Sequence, residues 1–398
     1  MTRVVMHEAM LRYQCNLKGC CCKGWGIVFE ADDLVRLLKV ITDNDLRVEL
    51  IGNCTIKVDD DGTIQQFRMQ NMENDRTCHY LAGDGTCGLH ATYGVGVLPR
   101  LCREFPAHAQ HAGDEVSVHF DAVCPAVLDQ LDESDGPFEV IELEPEPGSE
   151  LELRSKRYLP LPHIAIGELP LTYIDLVAIR EVVITAFNTR RESAIDVLAR
   201  VNHALADLAA TVSFILNNEI STDRFDAYLD MCVGLHDPRM LAVFFKSYER
   251  FIWSIDLSEV DWETLAEHLA PDPGWREVFD PRDPAWDPFL RRYLAHRFFS
   301  GFDRSPSMQD LGFTYGTINH SLATTFRLVV GLSRWLGRPV DRALLKVAVG
   351  ATEYLYRSVR IPPSAMPWFG LDAQDHHGSA RSMMTPKVEA DAEPPATE

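Results

Sequence analysis

From about residue 170 onward, apolar positions recur at helical spacing. In YIDLVAIREVVITAFNTR, Ile174, Val177, Ile184 and Phe187 fall near one face. In SAIDVLARVNHALADLAATVSFIL, Ile195, Leu198, Val201, Leu205 and Leu208 repeat the theme. STDRFDAYLDMCVGL opens on Ser221 and Thr222, good N-caps, and enters an acidic first turn. WDPFLRRYLAHRFFSGF, SLATTFRLVVGLSRWLG and PVDRALLKVAVGATEYLYRS continue it, and Gly337 followed by Pro339 marks one helix stopping and the next starting. The pattern predicts roughly seven or eight helices. No sequence repeat of fixed period argues for a solenoid.

Upstream the periodicity is shorter. WGIVFEADDLVRLLKVI predicts a short extended segment running into a helix, with Asp32 or Asp33 near its start. TIKVDDDGTIQQFRM alternates on either side of Asp60, Asp61 and Gly62 and predicts a hairpin. Residues 129–153, DQLDESDGPFEVIELEPEPGSELEL, are acidic with Pro and Gly; they predict a linker with a short extended piece, a polar edge strand being the alternative. The tail from Asp372 has almost no apolar anchors, which predicts disorder. The expected fold class is mainly α: an irregular cysteine-rich metal-binding N-terminal domain with a short hairpin (1–128), an acidic linker (129–165), an α-helical domain (166–370) and a disordered tail (371–398).

Composition narrows the function classes. Hydrophobic residues make up 46% and charged residues 24% of 398, the balance of a globular chain. A net charge of -21 repels phosphates, so neither nucleic acid nor an anionic membrane is an expected partner. MTRVVMHEAMLRYQC lacks the apolar core of a signal peptide, and no apolar run approaches the roughly 20 residues of a membrane span. A cytoplasmic location follows as the expectation. Thiols stay reduced there, so clustered cysteines read as metal ligands or catalytic groups.

Nine of the ten cysteines precede residue 125. Cys15 is followed by Cys20, Cys21 and Cys22, then by Cys78, Cys87, Cys102 and Cys124. Gly83-Asp84-Gly85 predicts a turn that folds Cys87 back toward Cys78. LPRLCREFP, bounded by Pro99 and Pro106, puts Cys102 on one short helical turn. Cys124 precedes a proline, as does the last cysteine of bacterial ferredoxin motifs. Paired C-x2-C zinc spacing is absent, and eight thiols exceed one zinc site. They match one iron–sulfur cluster with spare thiols, two metal sites, or a cluster plus structural thiols. Adjacent side chains diverge, so one or two of Cys20, Cys21 and Cys22 are expected to ligate. Cys54, beside a strand, and Cys232, on a helix, read as packing residues. His79, His90, His108, His111 and His119 are secondary ligand candidates. Arg100 and Arg103 flank Cys102, where they could offset thiolate charge. Trp25 reads as a lid over the metal; Trp335 and Tyr354 read as core.

YQCNLKGCCCKGWGIVFEADDL, CHYLAGDGTCGLH, LPRLCREFP and CPAVLD together resemble the flagellin lysine-N-methylase family, which overlaps the YkgJ-type zinc- or iron-chelating cysteine-cluster domains. The most specific pieces are Cys21-Cys22-Lys23-Gly24-Trp25 and Cys102 to Pro106. The motifs cover about residues 13 to 128, and RRYLAHRFFSGF is faintly similar to the family's helical half. The resemblance implies an iron–sulfur cluster, 4Fe-4S with zinc as the alternative, held by thiols drawn from Cys15, Cys20, Cys21, Cys22, Cys78, Cys87, Cys102 and Cys124. It also implies methyl transfer from S-adenosylmethionine to lysines of flagellin or a similar protein. In the family pattern Cys20 is expected to stand apart from the following pair; here it adjoins them.

The residues alone do not place the methyl donor. YGVGVLPR offers only a lone Gly94-x-Gly96, with no clear strand before it, and the C-x3-C-x2-C spacing of radical enzymes is absent. The alternative expectation is a noncatalytic zinc- or iron-chelating or electron-transfer protein whose helical half docks a partner.

Overall fold

A computed structural model describes residues 3–15, 27–29, 31–52, 54–58, 64–69, 78–112, 115–144, 164–166, 169–211, 222–234, 236–248, 261–300 and 311–358. The chain is mostly helical, with fourteen α-helices among the described residues and small sheets. The tail from Asp372 lies outside the described residues, as do residues 145–163.

The largest sheet has four strands: β1 (Arg3–His7), β5 (Ala107–Ala112), β6 (Glu115–Phe120) and β7 (Val140–Leu143), in the order β5-β6-β1-β7. β1 pairs parallel to β6, Val5 opposite Ser117, and antiparallel to β7, Val5 opposite Glu142. The strand Val140–Leu143 within 129–165 is thus a sheet edge, with Val140 and Leu143 packed against the core. Helix α5 (Pro125–Glu133) starts at Cys124, with Pro125 in the first helical position, where a missing N–H costs nothing. The acidic residues that follow dock on the last long helix. Lys346 Nζ lies 2.7 Å from Asp129 Oδ1, and Arg342 Nη1 2.6 Å from Asp132 Oδ1.

A second sheet, order β2-β4-β3, joins β2 (Val28–Phe29) to the hairpin of β3 (Cys54–Val58) and β4 (Ile64–Met69), antiparallel as the alternation predicts. Helices α1 (Ala31–Val40) and α2 (Asn44–Gly52) lie between these strands in sequence. Leu34, Leu37, Ile41 and Leu50 bury themselves with Ile27, Cys78, Leu89 and Leu98 in a small core of their own.

The helical half comprises α6 (Tyr173–Thr189), α7 (Ala194–Thr211), α8 (Asp223–Val233), α9 (Pro238–Tyr248), α10 (Trp262–His268), α11 (Trp275–Val278), α12 (Asp287–Ser300), α13 (Leu311–Leu336) and α14 (Arg342–Ser358). Thr172 and Asp175 form a reciprocal capping box at the start of α6. The expected apolar stripe on this helix is corrected at one end. Ile174 is 77% exposed, and the buried face runs through Leu176, Ile179, Val183 and Phe187. On α7 all five expected positions are buried. Thr222 occupies the α8 N-cap in helical conformation without a side-chain capping bond, so its hydroxyl does not do what the sequence suggested. Gly337 adopts φ +60°, and Arg338 N–H bonds Ser333 O at 3.1 Å, closing α13 as a left-handed terminus that favours glycine.

One core runs through the four-stranded sheet and the helical half alike. Val4, Val5 and Met6 share it with Val116, Leu128, Phe298 and Leu345. Central arginines tie helix ends into it. Arg291 donates to Phe187, Arg190 and Glu192 carbonyls after α6; Arg292 donates to Leu131 and Asp132 at the end of α5. Arg327 donates to Val233 and His236 beyond α8 and to Leu269 at the end of α10. Carbonyls at helix C-termini lack intrahelical donors and carry partial negative charge, so a guanidinium satisfies both needs.

Candidate metal centre

The described N-terminal thiols fall into two neighbouring groups. Cys78 is buried and belongs to the smaller core; Cys54, Cys87 and Cys102 pack against it half-buried. The turn expected between Cys78 and Cys87 forms through local bonds. Leu81 N–H reaches Cys78 O at 3.0 Å, Leu81 bridges to Cys87, and Gly88 N–H bonds Tyr80 O at 2.8 Å. Asp84 holds Thr86 through backbone and hydroxyl, and Gly85 takes φ +85°. Helix α3 (Gly88–Tyr93) then begins directly after Cys87.

Cys102 sits on α4 (Arg100–Glu104), the short turn between the two prolines. Asp33 of α1 clamps that turn. Its buried carboxylate accepts Arg100 N–H at 3.0 Å, takes a hydrogen bond from Arg36, and lies 3.8 Å from Arg103 Nη2. Arg36 also donates to Leu98 O at 3.1 Å. The two arginines flanking Cys102 are therefore engaged with carboxylates, Arg100 also lying 3.7 Å from Glu104.

Cys124, 3% exposed, belongs to the larger core. Its Sγ lies 3.5 Å from the hydroxyl of Tyr13, two residues before the exposed Cys15. The two thiol groups meet through the backbone: Asp121 N–H donates to Pro106 O at 2.8 Å, and Cys124 N–H to Asp121 O at 3.0 Å. This fixes the turn after Cys102 against the turn before Cys124.

Cys20, Cys21, Cys22 and Trp25 lie outside the described residues. Among the described residues, no three Cys, His, Asp or Glu side chains form a group that could hold a metal ion. His79 pairs with Glu49 at 2.5 Å, His108 lies 3.7 Å from Asp121, and His119 contacts Ser117 at 3.2 Å. Cys54, read as packing, proves to share the Cys78 neighbourhood. Burial raises its pKa and that of Tyr80, whose hydroxyl also feels Glu49, Cys54 and Cys78. Cys232 is buried as expected, and burial pushes its thiol up to about 12.

A second concentration of reactive side chains lies in the helical half. The hydroxyl of Tyr356 on α14 touches His236 Nε2 at 3.2 Å, Thr324 Oγ1 at 3.1 Å and His320 Nδ1. The sequence signal for this set was weak: His320 and Thr324 share one face of α13, but polar residues at i and i+4 usually mark a solvated face. Here Asn319, His320, Ser321, Thr324, Thr325 and Arg327 are all buried. Burial, with His236 beside it, lowers His320 to about 4; burial and Arg327 lower His236 to about 4.

The chain matches no protein-family model, no curated protein and no solved structure.

Proposed function

We propose that the N-terminal thiols bind a metal, an iron–sulfur cluster before zinc, and that the chain transfers methyl groups from S-adenosylmethionine to lysine side chains of flagellin or a similar protein. The observation that supports the metal reading is the joint placement of Cys78, Cys87 and Cys102 around one small core. Ile27, five positions after Cys22 in the sequence, enters the same core. The donor chemistry fits, because thiolates are soft ligands. Described thiols alone do not complete a ligand set, so Cys20, Cys21 or Cys22 would contribute to it, and Cys15 and Cys124 would serve beside them. Such a cluster supplies electron transfer or binding of the core's irregular segments. The chain's own residues hold the ligand-bearing turns: Asp33 fixes the Cys102 turn, and Asp84 the turn before Cys87.

The methyltransferase reading is supported by the resemblance of residues 13 to 128. No helix among the described residues is long and apolar enough to cross a membrane. Transfer requires a neutral amine, since an ammonium has no lone pair to attack the sulfonium methyl.

Anaerobic purification with iron, sulfide and zinc analysis tests the metal. Stoichiometric iron and sulfide are expected, and they should drop when Cys78, Cys102 or Cys124 becomes Ala; unchanged metal in all three variants refutes the assignment. Titration calorimetry with S-adenosylmethionine, followed by mass spectrometry of a flagellin substrate, tests the transfer. Bound metal without either donor binding or a 14-Da mass gain, the increment of one methyl group replacing hydrogen (about 14 Da), would favour a noncatalytic electron-transfer or chelating protein.

A further inference from the structure

Tyr13 and Cys124 stand 111 positions apart, yet the four-stranded sheet delivers both. β1 ends at His7 and runs into the single 3-10 turn Glu8–Arg12, pinned by Glu8 N–H on Glu139 O at 2.8 Å. Tyr13 follows, its N–H bonding Met10 O at 3.2 Å. β6, parallel to β1, ends at Phe120, and the Asp121 turn leads from there to Cys124. The Tyr13 ring tilts against the Phe120 ring with centroids 5.2 Å apart, so its packing does not depend on its hydroxyl. That hydroxyl lies 3.5 Å from Cys124 Sγ, within hydrogen-bonding reach of the large sulfur atom.

We infer that Tyr13 is a positioning residue for the metal centre: its hydroxyl donates to the ligand sulfur of Cys124 and raises the reduction potential of an iron–sulfur cluster held there. The inference rests on the iron–sulfur reading and deepens it. A metal-bound cysteine is a thiolate, with lone pairs and no hydrogen, so the phenol is then the donor in this pair. The setting of Cys124 suits an anion. It occupies the N-cap of the nine-residue helix α5, where the helix dipole favours negative charge, and it is 3% exposed. A hydrogen bond onto a ligand sulfur draws electron density away from it. The reduced state carries one more electron and gains more from that bond, so the potential rises. No covalent bond changes at Tyr13, and its hydrogen stays on oxygen.

The helical half holds a contrasting pair. Tyr228 bonds Cys232 on the same helix, α8, four positions on. Cys232 sits near the C-terminal end of that helix, where the dipole disfavours an anion, and burial keeps it a thiol. Tyr13 and Cys124 instead join two distant segments at a helix N-terminus. The same bond ties Cys124 to the stretch carrying Cys15, two residues after Tyr13, so one contact brings two candidate ligands into a single neighbourhood.

The test is a spectroscopic redox titration of the anaerobically purified full chain, with iron and sulfide analysis, in wild type, Tyr13→Phe and the control Tyr228→Phe. Tyr13→Phe keeps the ring and should keep iron and sulfide. Its reduction equilibrium should shift about tenfold toward the oxidised form, a midpoint lower by about 59 mV for a one-electron couple. Tyr228→Phe should leave the midpoint where it is. Resonance Raman spectra of the wild type should show iron–sulfur stretches that move in heavy water, and Tyr13→Phe should remove part of that shift. If Tyr13→Phe fails to load, the wild-type spectra decide: stretches indifferent to heavy water overturn the inference. A loaded Tyr13→Phe with an unchanged or raised midpoint overturns it too, and leaves the cluster reading standing. Full iron and sulfide in Cys124→Ala would remove Cys124 from the ligand set and the inference with it. Zinc alone, or no metal, in the wild type would overturn the cluster reading itself.

Discussion

Arg297 Nε lies 3.0 Å from Glu353 Oε1, with the two side chains 2% and 0% exposed. The pair joins α12 to α14, and the Tyr293 hydroxyl also donates to Glu353. Removing two charges from water is costly, and their attraction offsets that cost only while both are present. Glu353→Ala should therefore destabilise the protein by about 3–5 kcal/mol. The double variant Arg297→Met with Glu353→Leu should recover most of the loss. Urea denaturation of the three proteins checks this; equal losses in the single and double variants would contradict it.

Arg327→Leu should be about as damaging by another route. Three carbonyls at the ends of α8 and α10 lose their donors, and each buried acceptor left unmatched costs about 1–3 kcal/mol. Arg327→Lys should rescue only part of it, because an ammonium cannot span all three with the planar fork of a guanidinium. The denaturation midpoints of Arg327→Leu and Arg327→Lys, compared with wild type, provide the measurement.

Acid should weaken the fold well before its carboxylates titrate. Burial lowers His7 to about 3, and His236 and His320 to about 4, from the ordinary 6.5. The unfolded chain thus binds more protons than the folded one below 6.5, so stability is full above that pH and falls as pH drops toward 4. A urea midpoint that declines between pH 7 and pH 4.5, less steeply in His236→Gln, is the expected result. A flat midpoint would show the imidazoles to be solvated.

Asp33→Asn is expected to loosen the Cys102 turn without removing a thiol. It weakens a charge-assisted contact to the Arg100 N–H and the pairing with Arg36 and Arg103, at about 1.5–3 kcal/mol. Metal content after mild chelator challenge should fall below wild type. Retention equal to wild type would mean that the Cys102 turn is held by other contacts.

Gly350→Ala tests packing against propensity. Alanine favours a helix by about 1 kcal/mol over glycine. At this position, however, a Cβ would collide with the ring end of Tyr248. The net effect should be a lower unfolding temperature, and a higher one would show that Tyr248 can swing aside.

Local signals were readable where one short stretch determines its own structure. The hairpin of Cys54–Val58 with Ile64–Met69, the turn before Cys87, the helical turn at Cys102 and the stop at Gly337 all follow from residues within a few positions. What escaped depends on partners far along the chain. VVMH at the N-terminus is too short to announce a strand, and only pairing with residues 115–118 and 140–143 makes it one. The interior polar face of α13 was hidden for the same reason: hydropathy cannot tell a solvated polar stripe from one matched by Asn202, Thr352 and Tyr356. Of the candidate ligands, Cys78 and Cys87 are joined by a local turn, whereas Cys102 is held beside them by Asp33 of α1 and the place of Cys124 depends on Tyr13 and the sheet.

The position of β1 sets an order of assembly. This strand is made before both of its neighbours, which are encoded more than a hundred residues later. Until they arrive, Val4, Val5 and Met6 are an adhesive segment with unpaired amides, the kind of nascent sequence that chaperones shield. Production yield should therefore depend on how fast residues up to Leu143 are translated, with the parallel pairing among the last contacts to mature.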